Sequence, residues 1–264
     1  MDYVSHFRRE VRAFEVAVRR AAGRETVPLV PSCPGWSVSD LVLHLGSVHR
    51  VVTHVIRDRP SRVPDATDLG FLRLPEDTDG WPAPEHQPNL GPVPPGLGDW
   101  FTAGAAELAA LFTDRDPAEE VWTWSPERSV GFWQRMQAIE AAVHRWDAED
   151  AAGTARPVDA ALARDAVAQT FTVMAPARRS WRQAPPGSGE RYRLRESDGP
   201  GRWTAHFDGS QVLLGDGADR YDVELAGTAS DLMLFLWGRL PADRLAVTGD
   251  RAVLDRYFTL VPPV

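Results

Sequence analysis

Apolar residues recur at every third or fourth position along roughly the first 150 residues, which is the spacing of amphipathic helices. The first such segment places Phe7, Val11, Phe14 and Val18 on one face and arginines on the others. Four helices are predicted in this half of the chain, over residues 6–22, 38–57, 99–112 and 131–151. Four helices joined in sequence favour a bundle.

The second predicted helix has a defined start. Ser37 followed three residues later by Asp40 is an acidic variant of the capping box, in which each side chain bonds the other's backbone N–H. Beyond this helix, residues 58–98 contain nine prolines, which predicts a long irregular connection. Such connections are commonly lids or binding loops.

The pattern changes after Gly153. Residues 158–174 still have helical spacing, but four short segments then alternate with a period of two between Gly, Asp, Ser and Pro, as in a meander of antiparallel strands. These segments are residues 191–196, 202–208, 211–215 and 220–225. We therefore predict an α plus α+β protein, with a helical domain over residues 1–154 and a smaller α+β domain over residues 155–264.

Capping residues divide the end of the chain. Thr228, with Asp231 three residues on, is expected to begin a helix that runs through Trp237. A short strand at residues 245–247 follows, and Asp250 is expected to begin a last helix that ends near residue 258.

Composition excludes several classes of protein. The chain has 264 residues, 37 of them acidic and 29 basic, and its net charge of -8 argues against a nucleic-acid partner. All 29 basic residues are arginine, which excludes pyridoxal-phosphate enzymes, lysine-dependent aldolases and the Walker-A phosphate loop. Small-molecule chemistry is the remaining expectation.

Cysteine content and hydropathy indicate the compartment. Cys33 is the single cysteine, so there is no internal disulfide or CxxC pair, and we expect it to be a packing residue. The polar start is unlike a signal peptide, and no apolar run approaches the roughly 20 residues of a membrane span. The sequence predicts a cytoplasmic protein without a membrane partner, either a monomer or a weak homodimer.

Histidines on the second helix are candidates for chemistry. At about 100° per residue, His44 lies within the apolar arc, His49 at its edge and His54 on the opposite side. An inward-facing imidazole needs a partner, because an unpaired buried polar group costs roughly 1–3 kcal/mol. A hydrogen bond to a backbone carbonyl would suffice, and a metal ion is the alternative.

The fourth helix carries two more candidate ligands. Glu140 and His144 are four residues apart, one turn above one another beside the apolar stripe, so both can bind one ion. Alone, such a pair is usually a surface salt bridge. With His44 they form a set of two histidines and one carboxylate, typical of catalytic zinc sites that keep one position open. Asp147 either orients His144 or pairs with Arg145.

Three segments resemble the mycothiol-dependent maleylpyruvate isomerase family: VPSCPGWSVSDLVLHLGSVHR, EAAVHRWDAEDAAG, and LMLFLWGR with VTGD. The resemblance implies a DinB-like four-helix bundle followed by a sterol-carrier-protein-like α+β domain. It further implies that His44, Glu140 and His144 bind zinc or a similar divalent metal, and that Arg239 reaches the active site as a catalytic arginine. Mycothiol would be the thiol cofactor or co-substrate.

The chemistry that the resemblance implies is isomerisation or thiol conjugation of a small electrophile, with a carboxylate held by Arg239. Metal coordination would convert the thiol into a thiolate nucleophile. Two alternatives stay open: a DinB-like metal-dependent hydrolase that activates water, and a non-catalytic small-molecule binding protein of the same fold. Activity with and without mycothiol separates the first alternative from the thiol-dependent enzyme.

Overall fold

The protein consists of two compact units, Met1–Arg156 and Pro157–Val264. The structure, a computed structural model, describes residues 1–22, 25–60, 69–216 and 220–263. The first unit is helical and the second combines helices with a five-stranded sheet, so the predicted α plus α+β class is confirmed. Within the predicted loop, residues 61–68 lie outside the described part.

Four long helices build the first unit. They are α1 (Tyr3–Ala22), α2 (Val38–Asp58), α3 (Leu97–Asp114) and α4 (Val130–Ala151). The pairs α1 with α4 and α2 with α3 pack most extensively, while α1 with α3 and α2 with α4 complete the bundle. Compared with the prediction, α1 begins three residues earlier, α2 ends one residue later, α3 is two residues longer at each end and α4 begins one residue earlier. Terminal turns carry few core residues and leave little periodic signal.

The predicted capping box at the start of α2 is present. The Ser37 Oγ accepts a bond from the Asp40 N–H at 3.3 Å, and the Asp40 Oδ2 accepts one from the Ser37 N–H at 2.8 Å. The same Oδ2 accepts a bond from the Asn89 N–H at 3.0 Å. A single buried carboxylate therefore caps α2 and fastens part of the long connection, whose described residues include two short 3-10 turns, Gly70–Leu72 and Pro84–His86.

A helical segment opens the second unit and is longer than predicted. It comprises α5 (Ala160–Gln169), a π turn (Thr170–Met174) and α6 (Ala175–Trp181). The predicted helix ends at residue 174, two residues before Pro176, which cannot donate an intrahelical bond. In the structure the Ala175 N–H bonds the Thr170 carbonyl five residues back, and the chain continues through this wider turn.

The sheet has the strand order β3-β2-β1-β4-β5. Its strands are β1 (Gly187–Glu196), β2 (Arg202–Gly209), β3 (Gln211–Gly215), β4 (Val223–Gly227) and β5 (Ala246–Gly249). The first three form the predicted antiparallel meander, but β4 pairs in parallel with β1, so the prediction of antiparallel strands throughout is wrong there. Alternating hydrophobicity marks a strand and its buried face, but not its neighbour or direction.

Helices cover one face of this sheet. Alternate residues of β1 are buried, and Tyr192 packs edge-on against Phe207 and Tyr257. Thr228 caps α7 (Ala229–Leu236) as predicted, through its bond to the Asp231 N–H. The last predicted helix is divided into α8 (Arg251–Asp255) and α9 (Tyr257–Leu260).

Candidate metal centre

Three predicted ligands lie together in the first unit. One ligand atom each from His44 on α2 and from Glu140 and His144 on α4 lies within 4.8 Å of the other two. The His44 Nε2 is 3.8 Å from the Glu140 Oε1, and the two imidazole rings meet edge to face at 5.1 Å between centroids. Packing of α2 against α4 thus unites residues about a hundred positions apart. Two imidazoles and a carboxylate suit zinc or a similar ion.

The cluster is open on one side. The His44 side chain is 36% exposed and the Glu140 side chain 15%, whereas His144 is 8% exposed. Trp36, from the turn before α2, lies beside His44 with 4.9 Å between ring centroids. Side-chain exposure therefore decreases from His44 through Glu140 to His144. The site is accessible beside His44 and the indole of Trp36.

Glu140 is in the ionised form that binds metals. Burial opposes ionisation of this carboxyl, but a hydrogen bond with His44 and the charges of His144 and His44 outweigh it, so the pKa of Glu140 lies below its usual value. The Gln137 Nε2 also donates to the Glu140 Oε2 at 2.7 Å. The second carboxylate oxygen is thereby held while the first faces His44.

Asp147 holds His144 in place. Its fully buried carboxylate accepts a bond from the His144 Nδ1 at 2.9 Å, so Nε2 is the nitrogen of this ring that would bind a cation. Arg145 bonds Glu10 and Glu149 instead, each at 2.9 Å. The structure thus shows the bond to His144 that an orienting role of Asp147 requires.

Two residues that the sequence did not predict at this site, Ser32 and Cys33, belong to the same network. The Ser32 Oγ donates to the Asp147 Oδ1 at 2.6 Å, and the Cys33 Sγ lies 3.6 Å from the Asp147 Oδ2. Cys33 is partly exposed, so its interpretation as a packing residue omits its contact with this carboxylate. Both belong to an irregular turn, where no periodicity indicates what a side chain touches.

The histidines of α2 differ in burial from the prediction. His49 is fully buried between Phe7 and Phe101, and neither ring nitrogen has a hydrogen-bond partner among the described residues. Burial lowers the pKa of His49 to about 3, against a smaller opposing effect of Glu140, so this ring is neutral. His44, predicted to point at the core, is the more exposed. The apolar face of α2 is wider than the wheel suggested because α2 packs on both α3 and α4.

His54 and Arg239 are the remaining predicted residues. His54, predicted to be on the surface, is 24% exposed, bonds Asp58 and stacks on Phe71. Arg239 belongs to the second unit, directly after α7, and its Nη1 donates to the Trp237 carbonyl at 2.8 Å. Its catalytic role stays a prediction.

A helical bundle with an inward cluster of histidine and carboxylate, joined to an α+β unit, defines a class of two-domain proteins. The sequence profile of the mycothiol maleylpyruvate isomerase N-terminal domain matches residues 7–149, and the profile of the MDMPI C-terminal domain matches residues 161–256. The chain therefore belongs to the mycothiol maleylpyruvate isomerase family, and the resemblance seen in the sequence is confirmed. The prediction of an enzyme is confirmed with it.

Solved structures show the same fold. A crystal structure of the mycothiol-dependent maleylpyruvate isomerase has a TM-score of 0.61 at 13% identity, and that of a histidine-to-alanine mutant has 0.59 at 14%. Each match covers 93% of this chain and 91% of the other. A search of curated proteins gives no significant match. Among the described residues, no helix combines the length and apolar character needed to cross a membrane.

Proposed function

We propose that this protein is a zinc-dependent isomerase that uses mycothiol to convert maleylpyruvate, or a related small unsaturated acid, into its trans isomer. The observation that carries the proposal is the convergence of His44, Glu140 and His144 within 4.8 Å. Membership of the isomerase family supports the reaction, and the name of the family supports the thiol and the substrate class.

The residues present fit a divalent cation. His44, Glu140 and His144 would hold it, and the cation would lower the pKa of a bound thiol and polarise a neighbouring carbonyl. The ionised Glu140 offsets part of its charge. Asp147 keeps the Nδ1 of His144 occupied, so that Nε2 is the nitrogen available for binding.

Access to the centre is from the side of His44 and Trp36, where the thiol and the substrate would enter. Addition of the thiol sulfur to the carbon–carbon double bond makes it a single bond that can rotate. Elimination of the same sulfur restores the double bond as the trans isomer and returns the thiol. Arg239 would bind a substrate carboxylate through its paired N–H groups.

Metal analysis tests the centre. Wild-type protein expressed with zinc should contain about one ion per chain by plasma mass spectrometry. His44→Ala should lose the ion while its far-UV circular dichroism stays unchanged, because His44 is partly exposed at the open side of the site. His54→Ala, on the same helix but outside the cluster, is the matched control and should retain the ion. A metal-replete His44→Ala protein would overturn the ligand assignment.

Proton NMR of the reaction tests the chemistry, since the vinyl coupling constants distinguish cis from trans products. Conversion should require both the metal and mycothiol. Hydrolysis that proceeds without the thiol would favour the water-activating alternative, and a stable thioether product would replace isomerisation with conjugation. Absence of turnover by the metal-loaded protein with mycothiol and maleylpyruvate would contradict the proposal.

A further inference from the structure

Two neighbouring arginines of α6 are buried in different ways. Arg178 is 3% exposed and Arg179 is 6% exposed. Arg179 donates to three backbone carbonyls, those of Leu260, Pro185 and Gly209, at 2.8–3.1 Å. Arg178 makes no hydrogen bond or ion pair with any residue in the described part of the chain, and its Nε is enclosed without a partner. Arg179 is thus a structural residue, and Arg178 has no equivalent role.

The surroundings of Arg178 are aromatic and cationic. Its guanidinium carbon lies 5.0 Å above the ring of Trp237, and the titratable groups that act on it are Tyr257, whose buried phenol is neutral, and the cation Arg239. The Trp237 Nε1 and the Tyr257 Oη are also buried without partners among the described residues. Two groups that can donate hydrogen bonds, the Trp237 Nε1 and the Tyr257 Oη, therefore accompany one positive charge that has no counter-charge among the described residues.

A buried cation without a counter-charge destabilises a fold. Burial lowers the pKa of Arg178 to about 10, and the nearby Arg239 lowers it further while Tyr257 opposes, so the group is still charged at neutral pH. A cation–π contact with one indole offsets only a small part of the lost hydration. Buried groups with strongly perturbed pKa values cluster at functional sites, where a ligand can supply the missing counter-charge.

We propose that Arg178, Trp237 and Tyr257 form a binding site for an organic carboxylate within the second unit. The guanidinium fork matches a carboxylate, with which it forms two parallel bonds. The aromatic rings suit the apolar part of such a molecule, and one enclosed charge matches a monoanion better than a phosphate dianion. The site uses none of the metal ligands, so it does not depend on the proposed function.

Isothermal titration calorimetry tests the site with butanoate as the probe. Butanamide, of the same shape without charge, and inorganic phosphate are the comparison ligands. Wild-type protein should bind butanoate more tightly than either of them. Arg178→Met should weaken butanoate binding by about tenfold or more. Arg182→Met, which removes the same charge from an exposed position at the end of α6, should bind as the wild type does.

Three further measurements keep the test specific. Arg178→Lys retains the charge without the planar fork and should bind with intermediate affinity. The Trp237 indole N–H signal, assigned by its absence in Trp237→Phe, should shift on addition of butanoate. His44→Ala should bind butanoate as the wild type does, since the site uses none of the metal ligands.

The following results would contradict the proposal of a carboxylate site. Equal butanoate affinity in Arg178→Met and wild type, or no binding by the wild type, would overturn the proposal. Preference for phosphate would overturn the assignment to carboxylates, and loss of binding in His44→Ala would place the carboxylate at the metal centre instead.

Discussion

Two buried arginines, one in each unit, differ in what surrounds them. Arg145 and Arg178 are both 3% exposed. Arg145 bonds the carboxylates of Glu10 and Glu149 and the carbonyl of Arg156, so its charge is balanced within the first unit. Arg178 faces an indole and another cation. Equal burial therefore does not indicate equal function: the first arginine holds helices together, and the second is available to a ligand.

The largest effect is expected from Arg145→Met. The substitution leaves Glu10 and Glu149 buried without their main cation, which should lower the free energy of unfolding by about 3–5 kcal/mol. Urea denaturation followed by circular dichroism measures this loss. A loss no larger than that in an exposed-arginine variant such as Arg12→Met would contradict the structural role.

Asp147→Asn extends the comparison from buried arginines to buried carboxylates. Asp147 and Glu149 are both buried on α4, but Asp147 bonds His144, Ser32 and Cys33, whereas Glu149 bonds Arg145 and Arg156. The neutral amide can keep the Ser32 bond but weakens the hold on His144, so zinc affinity should fall by about 10–100-fold. Competition with a chromogenic chelator measures it. Unchanged zinc affinity would show that Asp147 does not position His144.

Arg156→Ala tests how much solvent exposure reduces the contribution of an ion-pair partner to the free energy of unfolding. Arg156 bonds the same Glu149 as Arg145 does, but its side chain is 67% exposed. Solvent screening should keep the loss in unfolding free energy below about 1 kcal/mol. Urea denaturation beside Arg145→Met gives the comparison, and similar losses in the two variants would mean that burial does not separate them.

The smallest loss is expected from Arg178→Met. Removal of a buried charge that has no counter-ion should leave the free energy of unfolding, measured without added carboxylate, unchanged or higher. Added butanoate should then stabilise the wild type and not the variant. Destabilisation of Arg178→Met comparable to that of Arg145→Met would identify Arg178 as a structural residue.

The parts of the fold that could be predicted from the sequence are the segments with a periodic pattern of apolar residues. The helices of both units apart from α6, the first three strands, the capping box at Ser37 and the N-cap at Thr228 follow from spacing and local chemistry. The grouping of His44, Glu140 and His144 followed from two helical wheels together with the resemblance to a family. Whether they bind zinc stays a prediction.

Contacts between distant irregular segments could not be predicted. Ser32 and Cys33 reach Asp147 across more than a hundred residues from a turn without a repeating pattern. The parallel pairing of β4 with β1 depends on how the chain crosses the sheet. Arg178 is indistinguishable in sequence from Arg179 beside it, because only the positions of partners separate the two.

Asp40 has two roles, which together connect a surface segment to the helix that carries His44. Its carboxylate closes the first turn of α2 and receives the backbone of Asn89, and His44 stands one turn further along the same helix. If the segment around Asn89 moved away from Asp40, one of the bonds that hold this carboxylate in its capping position would be lost. A ligand that binds to that segment would therefore strengthen or weaken the capped first turn of α2 that precedes His44, without contacting the histidine itself.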